Sequence, residues 1–170
     1  MIGRELGYAV EVIPAISDES GVISSTEIRK LVEVGGVAEA ATLLGHPYSL
    51  HGVVIHGDGR GRSIGIPTAN IDYSRDKAIP PFGIYACWVP IGTEKYRAMT
   101  NIGINPTFTP DKQSPNVEAH LLDFDRDLYD QDLKVEFVER LRDEIKYPSV
   151  EALVSQINMD IKRGREILSA

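Results

Sequence analysis

From Leu50 onward the apolar residues come in short runs that suit pleated strands, and stretches rich in proline or glycine cut the runs apart. The runs are 50–56, 84–90, 95–103, 117–124 and 133–139, each rich in Val, Ile or Tyr or alternating between apolar and polar residues. The main breaks fall at 79–83 and 105–116. Several short antiparallel strands joined in this way predict a small closed barrel. One helix is expected after it. Ser149 is placed to cap that helix, and Val150, Leu153, Val154, Ile157 and Ile161 recur on one helical face that should pack on the barrel.

Residues 1–45 read differently. Tyr8–Pro14 has the composition of a short buried strand. Ser24-Ser-Thr-Glu27 forms a capping box, in which a serine side chain accepts from a backbone N–H three residues on. Ile28, Leu31 and Val32 then give a helical stripe that Gly35-Gly36 ends, and a second short helix is expected over 37–44. Gly45-His-Pro47 marks a boundary, so the chain divides into 1–45 and 46–170, with the first part expected to be removable without loss of the barrel.

Between the first run and the second lies Gly57-Asp-Gly-Arg-Gly-Arg-Ser-Ile-Gly-Ile-Pro-Thr-Ala-Asn70, with four glycines in nine residues. Closely spaced glycines let backbone N–H groups converge on one concave space, which suits phosphate oxygens, and Arg62 adds charge. A mobile surface loop is the plainer alternative, but the Pro-Thr-Ala-Asn ending is not needed by a linker. The segment lacks the Gly-Lys-Ser/Thr of a P-loop and the third glycine of a dinucleotide fingerprint. Thr68 and Asn70 are two apart, so on an extended segment they face the same side. They either cap backbone groups in a turn or offer neutral oxygens to a metal ion. In Val117-Glu-Ala-His-Leu-Leu122, alternation puts Val117, Ala119 and Leu121 on one face and Glu118, His120 and Leu122 on the other. Glu118 is then an exposed strand glutamate or a general base.

The segment ending Gly65-Ile-Pro-Thr-Ala-Asn70 resembles the signature of the riboflavin kinase family. Phe82-Gly-Ile-Tyr85, Asn101-Ile-Gly-Ile-Asn-Pro-Thr107, Val117-Glu-Ala-His120, Asp127-Leu-Tyr129 and Leu141-Arg142 follow in that family's order, so the resemblance covers about residues 47 to 168. It implies a mainly β fold, a six-stranded antiparallel Greek-key barrel with a C-terminal helix. It also implies transfer of a phosphoryl group from ATP to the riboflavin 5′-hydroxyl, giving FMN and ADP with Mg²⁺ as cofactor. The resemblance makes Glu118 the catalytic base. It assigns Gly57, Gly59, Gly61, Arg62 and Thr68 to ATP and its phosphates, and Thr68 and Asn70 to the metal. Asn101, Thr107 and Arg142 fall on the flavin side, although Arg142 read by itself is equally a surface arginine beside Glu139 or Glu144. Trp88 and Tyr85 sit within a strand pattern and are expected in the core. His120 reads as support for the strand, and His46, His51 and His56 show no metal-ligand spacing.

Val22-Ile-Ser-Ser-Thr-Glu-Ile-Arg29 looks like the end of the FMN adenylyltransferase module that precedes the kinase module in bacterial bifunctional FAD synthetases. Residues 1–45 thus read as a C-terminal remnant of that module, which would be the covalent neighbour of the kinase domain in a longer protein. No His-x-Gly-His sequence occurs, so adenylyl transfer is not expected. Competing readings are a truncated bifunctional enzyme or a non-catalytic flavin- or nucleotide-binding barrel. A net charge of −7 and few aromatic residues argue against a nucleic-acid-binding barrel or an anionic membrane surface as partner. The single cysteine, Cys87, fits a reducing compartment, and no apolar run has the length of a membrane span; a cytoplasmic protein is expected.

Overall fold

The computed structural model describes residues 6–18, 21–104 and 115–169. Six strands close into an antiparallel barrel: β3 (Tyr48–Ile55), β4 (Ala69–Tyr73), β5 (Gly83–Ile91), β6 (Glu94–Gly103), β7 (Asn116–Leu121) and β8 (Asp132–Arg142). Their order around the barrel is β3-β4-β7-β6-β5-β8, and β8 pairs with β3 to complete the ring. β5, β6 and β7 form a meander, and β8 returns beside β5, which is a Greek-key arrangement. The five expected strands are all present. The sixth, β4, grows directly out of the Pro-Thr-Ala-Asn motif, with Ala69, Ile71 and Tyr73 buried and Asn70 and Asp72 facing outward.

Leu50, Tyr85, Ile102, Val117, Val135 and Phe137 fill the barrel and are fully buried. Tyr85 meets Phe137 edge to face at 5.4 Å, and its hydroxyl donates to the Pro81 carbonyl, so this ring belongs to the core as expected. Trp88 is only half-buried on the outer surface, flanked by the cationic groups of Lys95 and Arg97. The Cys87 thiol is enclosed, and burial pushes its pKa up to about 12.

The C-terminal helix, Val150–Ile167, starts where Ser149 accepts a hydrogen bond from the Ala152 N–H. Its far half lies on a second apolar cluster of Ala86, Met99, Leu122, Leu141 and Leu168 outside the barrel. Gly164 permits the close approach, since a Cβ there would stand 2.2 Å from Met99 Cε. Arg165 holds Asp123 through two 2.7 Å hydrogen bonds, and Arg97 donates to the Leu168 carbonyl.

The N-terminal part departs from expectation in two respects. Tyr8–Pro14 forms no strand and is exposed; among the described residues, only Ser17–Asp18 (β1) and Gly21–Val22 (β2) pair there. An isolated extended segment with no neighbouring strand keeps its backbone groups hydrated instead. The helices lie at the expected positions: α1 is Ser25–Glu33, with Ser24 accepting from the Glu27 N–H, and α2 is Val37–Leu44, which starts after Gly36 without a side-chain cap. They are not detached from the barrel, however. Val37 is 1 % exposed and belongs to the same core as Leu50 and Phe137. Gly35, at φ +88, leaves room for the Arg140 side chain, whose Cδ would lie 2.7 Å from a Cβ at that position. Residues 1–45 therefore contribute to the barrel's core through α2. Val37→Ala should cost about 2 kcal/mol of stability, and deleting residues 1–45 should lower the melting temperature further. An unchanged melting temperature on deletion would show that α2 covers the barrel without supporting it.

Candidate active site

The segment from Gly57 to Thr68 leaves β3 and re-enters the barrel as β4. Gly59, at φ +68, turns the chain into a four-residue helix, α3 (Arg60–Ser63). The N–H groups of Arg62, Ile64, Gly65 and Ile66 bond back to carbonyls of Gly59, Gly61 and Arg62 at 2.8–3.2 Å. The loop is thus a wound turn, and those N–H groups are engaged within it rather than directed at a ligand. Two glycines are required by close approach. A Cβ on Gly61 would stand 2.2 Å from the Ile66 carbonyl oxygen, and one on Gly57 would stand 2.2 Å from Asn70 Nδ2.

β4 joins β7 through two residue pairs, Ala69 with Ala119 and Asn70 with Glu118. Alternation along β7 buries Val117, Ala119 and Leu121 and turns Asn116, Glu118 and His120 outward. The Glu118 carboxylate accepts from Asn116 Nδ2 at 2.7 Å and from Thr68 Oγ1 at 3.5 Å, and Asn116 Nδ2 also reaches Asn70 Oδ1 at 3.3 Å. Across β6, Asn101 is the register partner of Glu118. Its Oδ1 is buried without a hydrogen-bond partner among the described residues. His120 Nδ1 pairs with the Pro67 carbonyl at 2.7 Å and fastens the approach to Thr68 onto β7, which is the supporting role expected of it.

Two cavities meet at this cluster. A polar one of about 210 Å³ is lined by Asp58, Gly59, Arg60, Gly61, Thr68, Asn70, Asn101, Asn116, Glu118 and Glu144. An apolar one of about 460 Å³ lies between the barrel and the start of the C-terminal helix, α4, with Ile64, Ile66, Ile84, Met99, Tyr147, Leu153 and Ile157 on its walls. Arg60, Gly61, Thr68, Asn101, Glu118 and Glu144 line both. On the other side of Thr68 is a third cavity of about 330 Å³ containing Phe124, Tyr129 and Arg62.

Glu118, Thr68, Asn70 and Asn101 are therefore brought together, as are Gly59 and Gly61. Gly57 supports Asn70 from beneath and does not line the polar cavity. Arg62 lies on the wall of the third cavity; the arginine of the polar one is Arg60, ion-paired with Asp58 at 2.8 Å. Arg142 lines the apolar cavity, and its carboxylate partner is Asp160 of α4 at 2.6 Å, in place of Glu139 or Glu144. Thr107 falls outside the described residues. Asn116 and Arg60 are not among the site residues expected from the sequence, and Glu144 enters there only as a possible partner of Arg142. Asn116 had a usable signal, being two residues from Glu118 and hence on the same strand face.

Burial of Glu118 raises its pKa above the ordinary value of 4.5, opposed by the hydrogen bonds from Asn116 and Thr68. Thr68 Oγ1, Asn70 Oδ1 and the Glu118 carboxylate form a small set of hard oxygen donors. Such a set fits Mg²⁺, which takes few protein ligands when phosphates and waters supply the rest. No group of three or more His, Cys, Asp or Glu residues suited to a metal occurs among the described residues.

A family model described as Flavokinase, riboflavin kinase, matches residues 44–168. The chain belongs to the riboflavin kinase family. It is 40% identical over 153 residues to a bifunctional riboflavin kinase/FMN adenylyltransferase of Listeria monocytogenes, covering 90% of this chain and 48% of that protein. It is 38% identical over 150 residues to the protein of the same description from Bacillus subtilis, covering 88% and 48%. The chain thus spans about half the length of these curated relatives. Among solved structures, one titled a macrolide-efflux protein from Streptococcus pneumoniae matches with a TM-score of 0.81 and 41% identity, covering 90% of this chain and 50% of that one. A riboflavin kinase from Trypanosoma brucei matches with a TM-score of 0.56 and 26% identity, covering 72% and 80%. Among the described residues, no helix is long and apolar enough to cross a membrane.

The position of Glu118 has a measurable consequence within this riboflavin kinase barrel. Its raised pKa means that the folded state holds the proton more tightly than the unfolded chain does. Ionising it therefore destabilises the fold, beginning as the pH rises through about 4.5 and complete above the raised value. Glu118→Gln should accordingly melt at a higher temperature than the parent at pH 7. The gap should close as the pH falls below about 4.5, and a gap independent of pH would show that ionisation is not its cause.

Proposed function

We propose that this protein transfers the γ-phosphoryl group of ATP to the 5′-hydroxyl of riboflavin, yielding FMN and ADP. The observation that carries the reading is the position of Glu118, on the common wall of a polar and an apolar cavity. A molecule with a flat apolar ring and a polyol tail suits such a pair of spaces. The ring occupies the apolar cavity and the tail brings its terminal hydroxyl to the carboxylate. The phosphates of ATP lie in the polar cavity near Gly59, Arg60 and Gly61, and the third cavity, with Phe124 and Tyr129, takes the nucleoside end with Arg62 at its edge.

Phosphoryl transfer depends mostly on positioning and on stabilising charge. Glu118 accepts the proton of the 5′-hydroxyl as its oxygen bonds to the γ-phosphorus and the bond to the ADP oxygen breaks. Asn116 and Thr68 hold the carboxylate in place, and desolvation brings its basicity nearer to neutral pH. Thr68 and Asn70 are the residues that would hold Mg²⁺, which supplies charge neutralisation on the transferring phosphates. A carboxylate at this junction favours catalysis over mere flavin or nucleotide binding, since a binder needs no base there. We assign residues 46–170 to the kinase domain, with α2 packed on its core, and residues 1–45 to an adenylyltransferase-like module, working in the cytoplasm. The proposal concerns the kinase reaction alone.

Incubation with riboflavin, ATP and Mg²⁺ followed by separation of the flavins should show FMN, and its absence would overturn the reading. Glu118→Gln should lower turnover by roughly two to four orders of magnitude, with riboflavin and ATP affinities nearly unchanged. Turnover within a few-fold of the parent would remove Glu118 as base. Asn70→Ala should move the Mg²⁺ dependence of turnover to higher concentration while leaving riboflavin affinity intact. An unaltered Mg²⁺ profile would refute the metal assignment.

A further inference from the structure

Asp160 is the one charged residue of α4 that is buried, with 6 % of its surface exposed. Its carboxylate is fully engaged. Arg142 Nε donates to both oxygens at 3.0 Å, Arg142 Nη2 donates to Oδ2 at 2.6 Å, and Gln156 Nε2 donates to Oδ1 at 3.0 Å. Arg142 Nη1 donates to the Asp143 carbonyl at 2.9 Å. A helix resting on a barrel does not need such a pair. Desolvating two charges is expensive, and an apolar pair of similar volume holds elements together at least as well. The pair therefore asks for a reason beyond packing.

Both residues line the apolar cavity. Of the five N–H groups of a guanidinium, three are engaged with Asp160 and Asp143 among the described residues, which leaves one on each terminal nitrogen. Asp160 and Asp143 together hold the guanidinium, so these two donors stand fixed on a cavity wall whose surface is mainly apolar. Close by, the centre of the Tyr147 ring is 5.9 Å from Arg142 Cζ, and the Tyr147 hydroxyl is buried without a hydrogen-bond partner among the described residues. Fixed donors beside an unpartnered hydroxyl on an apolar wall are complementary to a flat heteroaromatic ring carrying carbonyl oxygens on one edge. The pyrimidinedione edge of a flavin is such a group. Asp160, an acceptor only, cannot bind carbonyl oxygens itself.

We propose that Asp160 is a positioning residue for the flavin ring: by holding Arg142, it fixes two N–H donors on the wall of the apolar cavity and so sets the affinity for riboflavin. The proposal rests on the reading of this cavity as the riboflavin site.

The test uses the whole chain and reads riboflavin binding by fluorescence quenching, alongside steady-state kinetics and melting temperature. Asp160→Asn should weaken riboflavin binding by about tenfold or more, the weight of a hydrogen bond made by a charged group, and leave the KM for ATP unchanged. Arg142→Lys keeps the ion pair but loses the planar fork, and should show the same loss with little change in melting temperature. The decisive variant is the apolar pair Arg142→Met with Asp160→Leu. It should melt near the parent temperature and still bind riboflavin poorly. Recovery of parental riboflavin affinity in that pair would overturn the proposal, because packing of α4 would then suffice. So would unchanged affinity in the folded Asp160→Asn and Arg142→Lys proteins. Failure of the parent protein to bind riboflavin would instead refute the reading of the cavity, and this proposal with it.

Discussion

Two residue pairs join β4 to β7, and the candidate site depends on them. Ala69 faces Ala119 inside the barrel while Asn70 faces Glu118 outside it. This pairing brings the glycine-rich turn, Thr68 and Asn70 up against a carboxylate that lies about fifty positions further along the sequence. A slip of one residue would carry Glu118 into the core and Val117 or Ala119 to the surface. Burial of Val117 and Ala119 therefore does more than fill space, since it enforces the register that the chemistry requires. The Asn116 amide, shared between Asn70 and Glu118, ties the two strands together at the same point.

Much of this could be read from the sequence because it follows local rules. The alternation in 117–122 gave the facing of Glu118, and Ser24 and Ser149 cap the helices their positions suggested. What escaped depended on distant partners. β4 was hidden because Pro67 and the glycines before it read as loop, although Ala69, Ile71 and Tyr73 alternate as a strand should. Arg60 and Arg62 look equivalent in sequence, and the turn at Gly59 sends them to different cavities. Arg142 had Glu139 and Glu144 nearby in sequence, but fold closure offered it Asp160, eighteen residues away. Tyr8–Pro14 has strand composition without a strand beside it among the described residues, and composition alone does not form a sheet.

The protein is acidic overall, so binding of a nucleoside triphosphate, as proposed, would have to rely on local groups. Arg60 is partnered with Asp58, and the carboxylates of Glu118 and Glu144 line the same polar cavity. In such surroundings a triphosphate would meet more negative than positive charge from the chain. A site of this kind suits a substrate that arrives with its own divalent counter-ion, since neutral oxygens such as those of Thr68 and Asn70 do not add to the repulsion.

The C-terminal helix packs tightly at one end only. Near Gly164 it touches the barrel closely, whereas Leu153 and Ile157, toward its start, remain half-exposed over the apolar cavity. The folded chain thus carries a hydrophobic layer with one side missing, and a flat aromatic ligand would complete it. Complex formation would then have the character of a late folding step. Removing this surface from water would give a negative heat-capacity change, so the binding enthalpy would grow more favourable with warming even if the affinity itself changed little.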